Sequence, residues 1–190
     1  MRAQIRWIKA RGVTPTHADS HHHLHLYPAA VRAYRRAVLA EGIRCSRAPR
    51  HRSFPGSRLL GPHAGRLHRR TAVTLFMECT QRFVLGGLTL PDACVVADPR
   101  YQREWQQIGE GWREMMQNIE AGTYEMGCHP GFTEPGFSET DSIAERRELE
   151  FRVLTSRTLI DAVKNRGIEL ISYSQIGTTY DAKERVPALQ

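Results

Sequence analysis

Histidine side chains are concentrated in one short stretch, residues 19–25, which has the sequence DSHHHLH. This stretch holds four of the nine histidines of the 190-residue chain and places them next to an aspartate. Imidazole and carboxylate groups bind divalent metal ions, and imidazole also carries protons near neutral pH. The stretch therefore predicts a metal site or an acid–base catalytic site.

The spacing of these side chains favours a strand. Successive side chains of a strand point to opposite faces, so five residues share one face: His17, Asp19, His21, His23 and His25. Same-face neighbours lie roughly 6 to 7 Å apart, so one metal ion can bind only one or two of them. The remaining groups would orient ligands, contact substrate or carry protons, and Asp19 would fix the tautomer of a histidine. A polar core patch of satisfied histidines is the alternative interpretation.

A second candidate histidine stands at the end of another predicted strand. Pro130-Gly131 forces a turn directly after His129, which closes the segment 124–129. In α/β folds the reactive groups lie at the carboxyl ends of strands. His129 is therefore a candidate general acid.

Hydrophobic periodicity predicts alternating helices and strands along the chain. Helices are expected at 1–11, 28–40, 71–85, 101–120, 141–153 and 156–166. Strands are expected at 16–25, 43–48, 91–96, 124–129 and 168–173. An arginine-rich loop or insertion is expected at 49–70 and a loose tail at 176–190. This order predicts an α/β fold with a mainly parallel sheet, open or closed into a barrel.

The overall composition is that of a globular protein, with 41% hydrophobic and 25% charged residues. No apolar run reaches roughly 18 residues and no signal-peptide pattern begins the chain, so we expect a cytoplasmic protein that does not enter a membrane. The four cysteines form no C-x-x-C pair. That spacing argues against a zinc ribbon or a redox dithiol and favours reduced thiols.

The net charge of +7 is unevenly distributed along the chain. Residues 44–70 contain eight arginines, three histidines and no acidic residue. A block of this kind is able to bind phosphates, either of nucleic acid or of a small anionic substrate. No aromatic or glycine pattern of an RNA-binding module accompanies it, so nucleic-acid binding is the least favoured hypothesis.

Several motifs follow one another in a fixed order. The segment 15–25 reads PTHADSHHHLH, and it is followed by Arg47-Ala48-Pro49, by Cys128-His129-Pro130, by a helix with Arg147 and Glu150, and by the apolar segment 166–173. This ordered set resembles the YdjC-like carbohydrate deacetylases, also called the ChbG/HpnK family. The resemblance covers about residues 5–174, and the set is specific although no single motif is.

The resemblance implies a distorted β/α barrel of the glycoside hydrolase/deacetylase type, formed here by residues 1–175. It also implies hydrolysis of N-acetyl groups from acetylated sugars, diacetylchitobiose among them. The family uses a divalent metal ion, for which we expect Mg²⁺ or Zn²⁺, held by one aspartate and two histidines.

The same resemblance implies roles for individual residues. His21 matches a metal ligand, and His129 matches the catalytic histidine that protonates the leaving amine. His23, His25 and Arg47 would line the sugar site. Asp19, the carboxylate beside the histidines, is assigned to catalysis with His129.

Two family motifs have no counterpart in this chain. The family begins with a strand that carries Asn-Ala-Asp-Asp-Phe-Gly, and a Gly-x-His segment then supplies a further metal histidine. Neither precedes the histidine-rich segment here. We therefore expect the C-terminal two-thirds of a deacetylase, a barrel without its first strands, an exposed sheet edge and association into a homodimer.

The missing metal ligands also set the expected activity. Of the three metal ligands of the family, only His21 is matched in this chain. Its deacetylase activity is therefore expected to be weak or absent. Two alternatives stay open: a non-catalytic remnant that binds carbohydrate or a partner chain, and the nucleic-acid-binding module.

Overall fold

A computed structural model describes residues 1–20, 27–58, 75–76, 79–97, 105–132 and 144–176. The helices are α1 (Arg2–Lys9), α2 (Pro28–Ala40), α3 (Trp105–Asn118), α4 (Ala144–Leu154) and α5 (Arg157–Asn165), with a π-helical turn at Thr80–Val84. The strands are β1 (His17–Ala18), β2 (Cys45–Ser46), β3 (Ser57–Arg58), β4 (Ala93–Ala97) and β5 (Tyr124–Gly127). Strands β1 and β2 are parallel, and a second sheet has the order β3-β4-β5 with β3 antiparallel to β4. The predicted mixed α/β class is confirmed, and closure into a barrel stays a prediction.

The described residues form two compact units, each with its own hydrophobic core. Unit 1 contains those within Met1–His51, His63–Cys94 and Ile171–Gln190. Unit 2 contains those within Arg52–Pro62 and Val95–Leu170. The predicted limits of a family domain at 1–175 and a tail at 176–190 stay a prediction.

Helix α2 organises the core of unit 1. Pro28 begins the helix, where its missing N–H costs nothing, and Gly42 follows its end with a φ of 76°, a left-handed conformation that favours glycine. The predicted apolar stripe of Val31, Tyr34 and Val38 is buried. This stripe packs in one cluster with Ile5, Ile43, Leu85 and Leu90.

Helix α3 organises the core of unit 2. Its tryptophan and methionine side chains were predicted as core because they recur at helical spacing. Trp112, Met115 and Met116 are all buried, together with Ile108. They pack against Val95 of β4, Val153 of α4 and Leu159 of α5.

The loop predicted for 49–70 is irregular over most of its described residues, 49–58, and it contains one unpredicted short strand, β3. Phe54 is buried, and Ser57 of β3 pairs with Ala97 of β4. Gly56 has a φ of 80°, and a Cβ at this position would lie 2.7 Å from the Met115 amide nitrogen of α3. A close glycine contact and a two-residue strand leave no periodicity in a sequence, which is why neither feature was predicted. Residues 59–70 lie outside the described residues.

Several strand predictions were too long, and one was wrong. Strands β1 and β2 cover two residues each instead of 16–25 and 43–48, although residues 21–25 fall outside the described part of the chain. Residues 168–173 form no strand: Ile168 N–H donates to Val163 O at the end of α5, and Ser172 O accepts from Ile176 N–H in a helical turn. A strand needs a hydrogen-bonding neighbour, and among the described residues 169–171 form no backbone hydrogen bond with another segment.

The helix predicted for 71–85 is only partly formed among its described residues. Residues 75–76 are helical, while Thr80–Val84 form the π-helical turn. Phe83, predicted within the apolar pattern, is 74% exposed, whereas Leu85 is fully buried. The π-helical turn widens the repeat to i→i+5, which moves the side chains off the predicted 3.6-residue face.

Candidate functional site

Two of the predicted site residues meet where the parallel strands of unit 1 end. The register pairs His17 with Cys45 and Ala18 with Ser46, so Asp19 and Arg47 each follow their strand by one residue. Arg47 Nη1 lies 2.8 Å from Asp19 Oδ2. The Arg47 and Asp19 side chains are 26% and 28% exposed, so the ion pair is accessible from solvent. The pair joins a predicted sugar-binding residue to a predicted catalytic residue.

Tyr34 of α2 fixes the strand ends that carry this pair. Its buried hydroxyl donates to Ala18 O at 2.7 Å and lies 2.6 Å from Ser46 Oγ, so one group bridges the last residues of β1 and β2. Arg47 N–H also donates to Ala18 O at 3.3 Å. On the other strand, Ser20 N–H donates to Asp19 Oδ1 at 2.6 Å.

Tyr34 and Ser46 were not predicted as positioning residues. Tyr34 was predicted only as one member of the apolar stripe of α2. A signal was present, because a tyrosine in such a stripe carries a hydroxyl that needs a hydrogen-bond partner once it is buried. The identity of that partner depends on tertiary structure and cannot be read from helical periodicity.

His129 lies in unit 2, two residues beyond the end of β5, and it is exposed. Its backbone N–H donates to Glu150 Oε2 of α4 at 2.5 Å. Two residues later, Gly131 N–H donates to Arg147 O at 3.2 Å. Helix α4 therefore holds the backbone that carries the His129 imidazole.

Glu150 is the buried centre of this arrangement, and no role was predicted for it from the sequence. It is 1% exposed and its Oε1 accepts from Arg146 Nε at 2.6 Å. A buried carboxylate needs both a counter-charge and hydrogen bonds, and here Arg146 and the His129 N–H supply them. The sequence motif that contains Arg147 and Glu150 singled out Glu150. It could not predict that the Glu150 carboxylate accepts from the His129 N–H.

Cys128 precedes His129 but does not have the properties of a nucleophile. Burial raises the pKa of the Cys128 thiol above its usual 9.0, and the negative charges of Glu150 and Glu125 raise it further. The thiol is therefore neutral at physiological pH, while the thiolate is the reactive form.

The predicted metal site lies largely outside the described residues, which do not include His21, His23 or His25. Where the structure describes the chain, no three histidine, cysteine, aspartate or glutamate side chains are grouped closely enough to hold a metal ion. Asp19 belongs to unit 1 and His129 to unit 2. The metal ligand His21 and the sugar-site residues His23 and His25 stay predictions.

Comparison with known proteins gives one family. Residues 1–165 match the family model described as YdjC-like protein. The chain is 29% identical over 173 residues to a carbohydrate deacetylase of Geobacillus stearothermophilus, a match that covers 91% of this chain and 56% of that protein. It is 26% identical to a human carbohydrate deacetylase, which covers 91% of this chain and 57% of that protein.

A mouse carbohydrate deacetylase is 28% identical, over 93% of this chain and 60% of that protein. The chain therefore spans somewhat more than half the length of the curated relatives it matches. Among solved structures, a candidate cellobiose-phosphate cleavage protein of Enterococcus faecalis superposes with a TM-score of 0.59 at 20% identity. That superposition covers 90% of this chain and 56% of the other, and it establishes a similar fold.

Proposed function

Because this chain belongs to the YdjC-like family, we propose that it hydrolyses N-acetyl groups of acetylated sugars. Relatives from three species bear the name carbohydrate deacetylase, which supports this class of reaction. The observation that carries the proposal is the Asp19–Arg47 ion pair, 2.8 Å long, at the carboxyl ends of two parallel strands. Reactive groups of α/β folds lie at such strand ends.

The proposed reaction is the hydrolysis of an amide. A water oxygen adds to the carbonyl carbon, the carbon–nitrogen bond breaks, the amine takes up a proton, and acetate leaves. His129 is proposed to supply the proton to the amine, because it is exposed and histidine exchanges protons near neutral pH. Glu150 supports this role as a positioning residue through the His129 backbone N–H.

Asp19 is proposed to orient a histidine of the adjacent segment and so to assist the attack of water. Arg47 holds the Asp19 carboxylate, and it also presents a cationic group to the hydroxyls of a sugar. We include in the proposal a divalent metal ion, Mg²⁺ or Zn²⁺, with His21 as a ligand. When bound, such an ion polarises a carbonyl oxygen and lowers the pKa of water.

We also propose where the protein acts and in which oligomeric state. None of the described helices is long and apolar enough to cross a bilayer. A cytoplasmic location and a homodimer are expectations from the sequence that we retain as parts of the proposal. Nucleic-acid binding is not part of it, because the basic block 44–70 carries no recognition pattern beyond charge.

The test is acetate release from N,N′-diacetylchitobiose by the full chain. We expect slow release that requires an added divalent ion and stops with a chelator, because a bound metal ion is part of the proposal. Saturable binding of the disaccharide without acetate release would replace this proposal with the non-catalytic carbohydrate-binding alternative. Absence of both release and binding would contradict a carbohydrate function.

A further inference from the structure

A cavity of about 520 Å³ opens in unit 1 at the opposite ends of β1 and β2 from the Asp19–Arg47 pair. Pro15 and Thr16, which precede β1, line one side of it, and Ile43 and Arg44, which precede β2, line another. Ligand cavities of proteins typically measure about 300 to 1,000 Å³, so this volume suits a small molecule the size of a monosaccharide derivative.

The charge of the cavity lining is positive. Of the described residues that line the cavity, Arg44 is the only charged one and none is acidic. Arg44 is exposed, and within the described part of the chain its guanidinium makes no hydrogen bond or ion pair. A guanidinium with no partner among the described residues is ready to bind an anionic group, because its planar fork matches phosphate and carboxylate oxygens.

Three of the other residues that line the cavity carry an aliphatic hydroxyl group. Thr16, Thr89 and Ser174 line the cavity, and a hydroxyl can both donate and accept a hydrogen bond. Thr16 Oγ1 lies 3.1 Å from His17 Nδ1 and Ser174 Oγ lies 2.7 Å from Ser172 Oγ, and each hydroxyl keeps capacity for a further hydrogen bond. Such groups match the hydroxyls of a sugar, which also donate and accept. The lining therefore combines one cationic group with several groups that suit a polyhydroxyl body.

Contacts among the lining residues, and with His17, fix part of the cavity wall. The Tyr173 ring stacks on the His17 imidazole with centroids 3.9 Å apart and an interplanar angle of 8°. The Cys45 thiol donates to Tyr173 O at 3.5 Å, and Thr89 N–H donates to Arg44 O at 2.7 Å. These contacts fix the Tyr173 ring and the backbone at Arg44, so this part of the lining loses little conformational freedom when a ligand binds.

From these observations we infer that unit 1 carries a second binding site, for a sugar with one anionic group, with Arg44 as its anion-binding residue. The inference does not depend on the proposed deacetylase function, since it rests on the cavity alone. The anionic group is a phosphate or a carboxylate, and the probes below distinguish these two sources.

The test is titration calorimetry of the full chain with glucose 6-phosphate, glucuronate, neutral glucose and inorganic phosphate. We expect saturable binding of at least one anionic sugar, and weaker binding of both glucose and inorganic phosphate. Arg44→Gln should weaken that binding by about tenfold or more, which is the loss of a charge-assisted contact. Arg36→Gln, which removes an exposed arginine of α2 in the same unit, should change it by less than about twofold.

Four outcomes would overturn the inference. They are no saturable binding of either anionic sugar, glucose binding as tightly as the anionic sugars, inorganic phosphate binding as tightly as the anionic sugars, and an equal effect of the two substitutions. Arg44 is exposed and without side-chain partners among the described residues, so Arg44→Gln is expected to keep the melting temperature of the wild type. That melting temperature checks that a loss of binding is not a loss of folding.

Discussion

At the scale of single residues, two ion pairs with the same helical spacing have very different surroundings. Arg146 and Glu150 on α4 are 18% and 1% exposed, whereas Arg157 and Asp161 on α5 are 82% and 46% exposed. Solvent screens the second pair and leaves the first with a desolvated carboxylate. Only the first is therefore expected to matter for stability and for the position of His129.

Glu150→Gln tests this difference. The amide keeps the shape of the side chain but removes the charge that Arg146 faces, so we expect a loss of about 2 to 4 kcal/mol in the free energy of unfolding. Asp161→Asn is the matched control and should cost less than about 1 kcal/mol. Urea denaturation measures both, and equal losses would refute a special role for the buried pair.

Cys128 gives a prediction about pH at the same scale. Because burial raises the pKa of its thiol, the reactive thiolate forms only under more alkaline conditions than usual. We expect iodoacetamide to modify the exposed Cys79 well before Cys128 at about pH 8, with the gap narrowing as pH rises. Peptide mass spectrometry over a pH series measures both rates, and equal rates at all pH values would contradict the prediction.

At the scale of secondary-structure elements, α1 is attached to the end of α2 through one residue, Glu41, by its carboxylate and its backbone carbonyl. Arg2 Nε and Arg6 Nε lie 2.8 and 2.9 Å from Glu41 Oε1, and Lys9 Nζ donates to Glu41 O at 2.8 Å. The hydrogen bond from Arg2 lowers the pKa of Glu41 below its usual 4.5, with help from Arg6 and against the effect of burial. Glu41 thus binds its proton less readily in the folded chain than in the unfolded one.

The sign of the pH dependence follows from linkage. A group with a lowered pKa stabilises the fold above its unfolded-state value, and this contribution is lost as pH falls through the folded-state value. Glu41→Gln should therefore lower the melting temperature near neutral pH, and its difference from wild type should shrink as pH falls below 4.5. Glu169→Gln, at an exposed position, should show no such pattern; a pH-independent effect of Glu41→Gln would contradict the account.

The packing of the segment before β3 against α3 depends on Gly56. With a φ of 80°, an added Cβ would collide with Gly111 O and lie 2.7 Å from Met115 N. We expect Gly56→Ala to cost about 2 to 4 kcal/mol of unfolding free energy, from strain and overpacking together. Gly12→Ala has a φ of 81° with nothing within 4 Å, so strain alone should cost about 1 kcal/mol. Equal costs in urea denaturation would show that the close contact has no energetic role.

At the scale of the whole molecule, the sequence predicted the elements whose signal is local. The apolar periodicity of α2 and α3 located both helices and their buried faces, because each turn repeats the same information. The failures share a cause: β3 and the expected strand at 168–173 depend on whether another segment lies alongside, and no local pattern contains that fact. The same limit applies to the site, where the sequence marked Asp19 and Arg47 separately and tertiary structure pairs them.

For the positioning residues too, the sequence indicates the residue but not its hydrogen-bond partner. Glu150 and Tyr34 were visible as a motif residue and a core residue, but their partners are distant in sequence. Tyr34 bonds across 16 residues to Ala18, and Glu150 bonds across 21 residues to the His129 N–H. Burial of a polar group predicts that a partner exists, while only the fold decides which one.

The most direct measurement is acetate release from N,N′-diacetylchitobiose by wild type and His129→Gln, with a divalent ion present. The substitution keeps the backbone N–H that donates a hydrogen bond to the Glu150 carboxylate, so the fold should persist. We predict measurable release by wild type and a decrease of about 10² to 10⁴ in the variant, the usual contribution of a general acid. Equal rates for the two chains, or no release by wild type, would contradict the central claim that this chain hydrolyses N-acetyl groups with His129 as the proton donor.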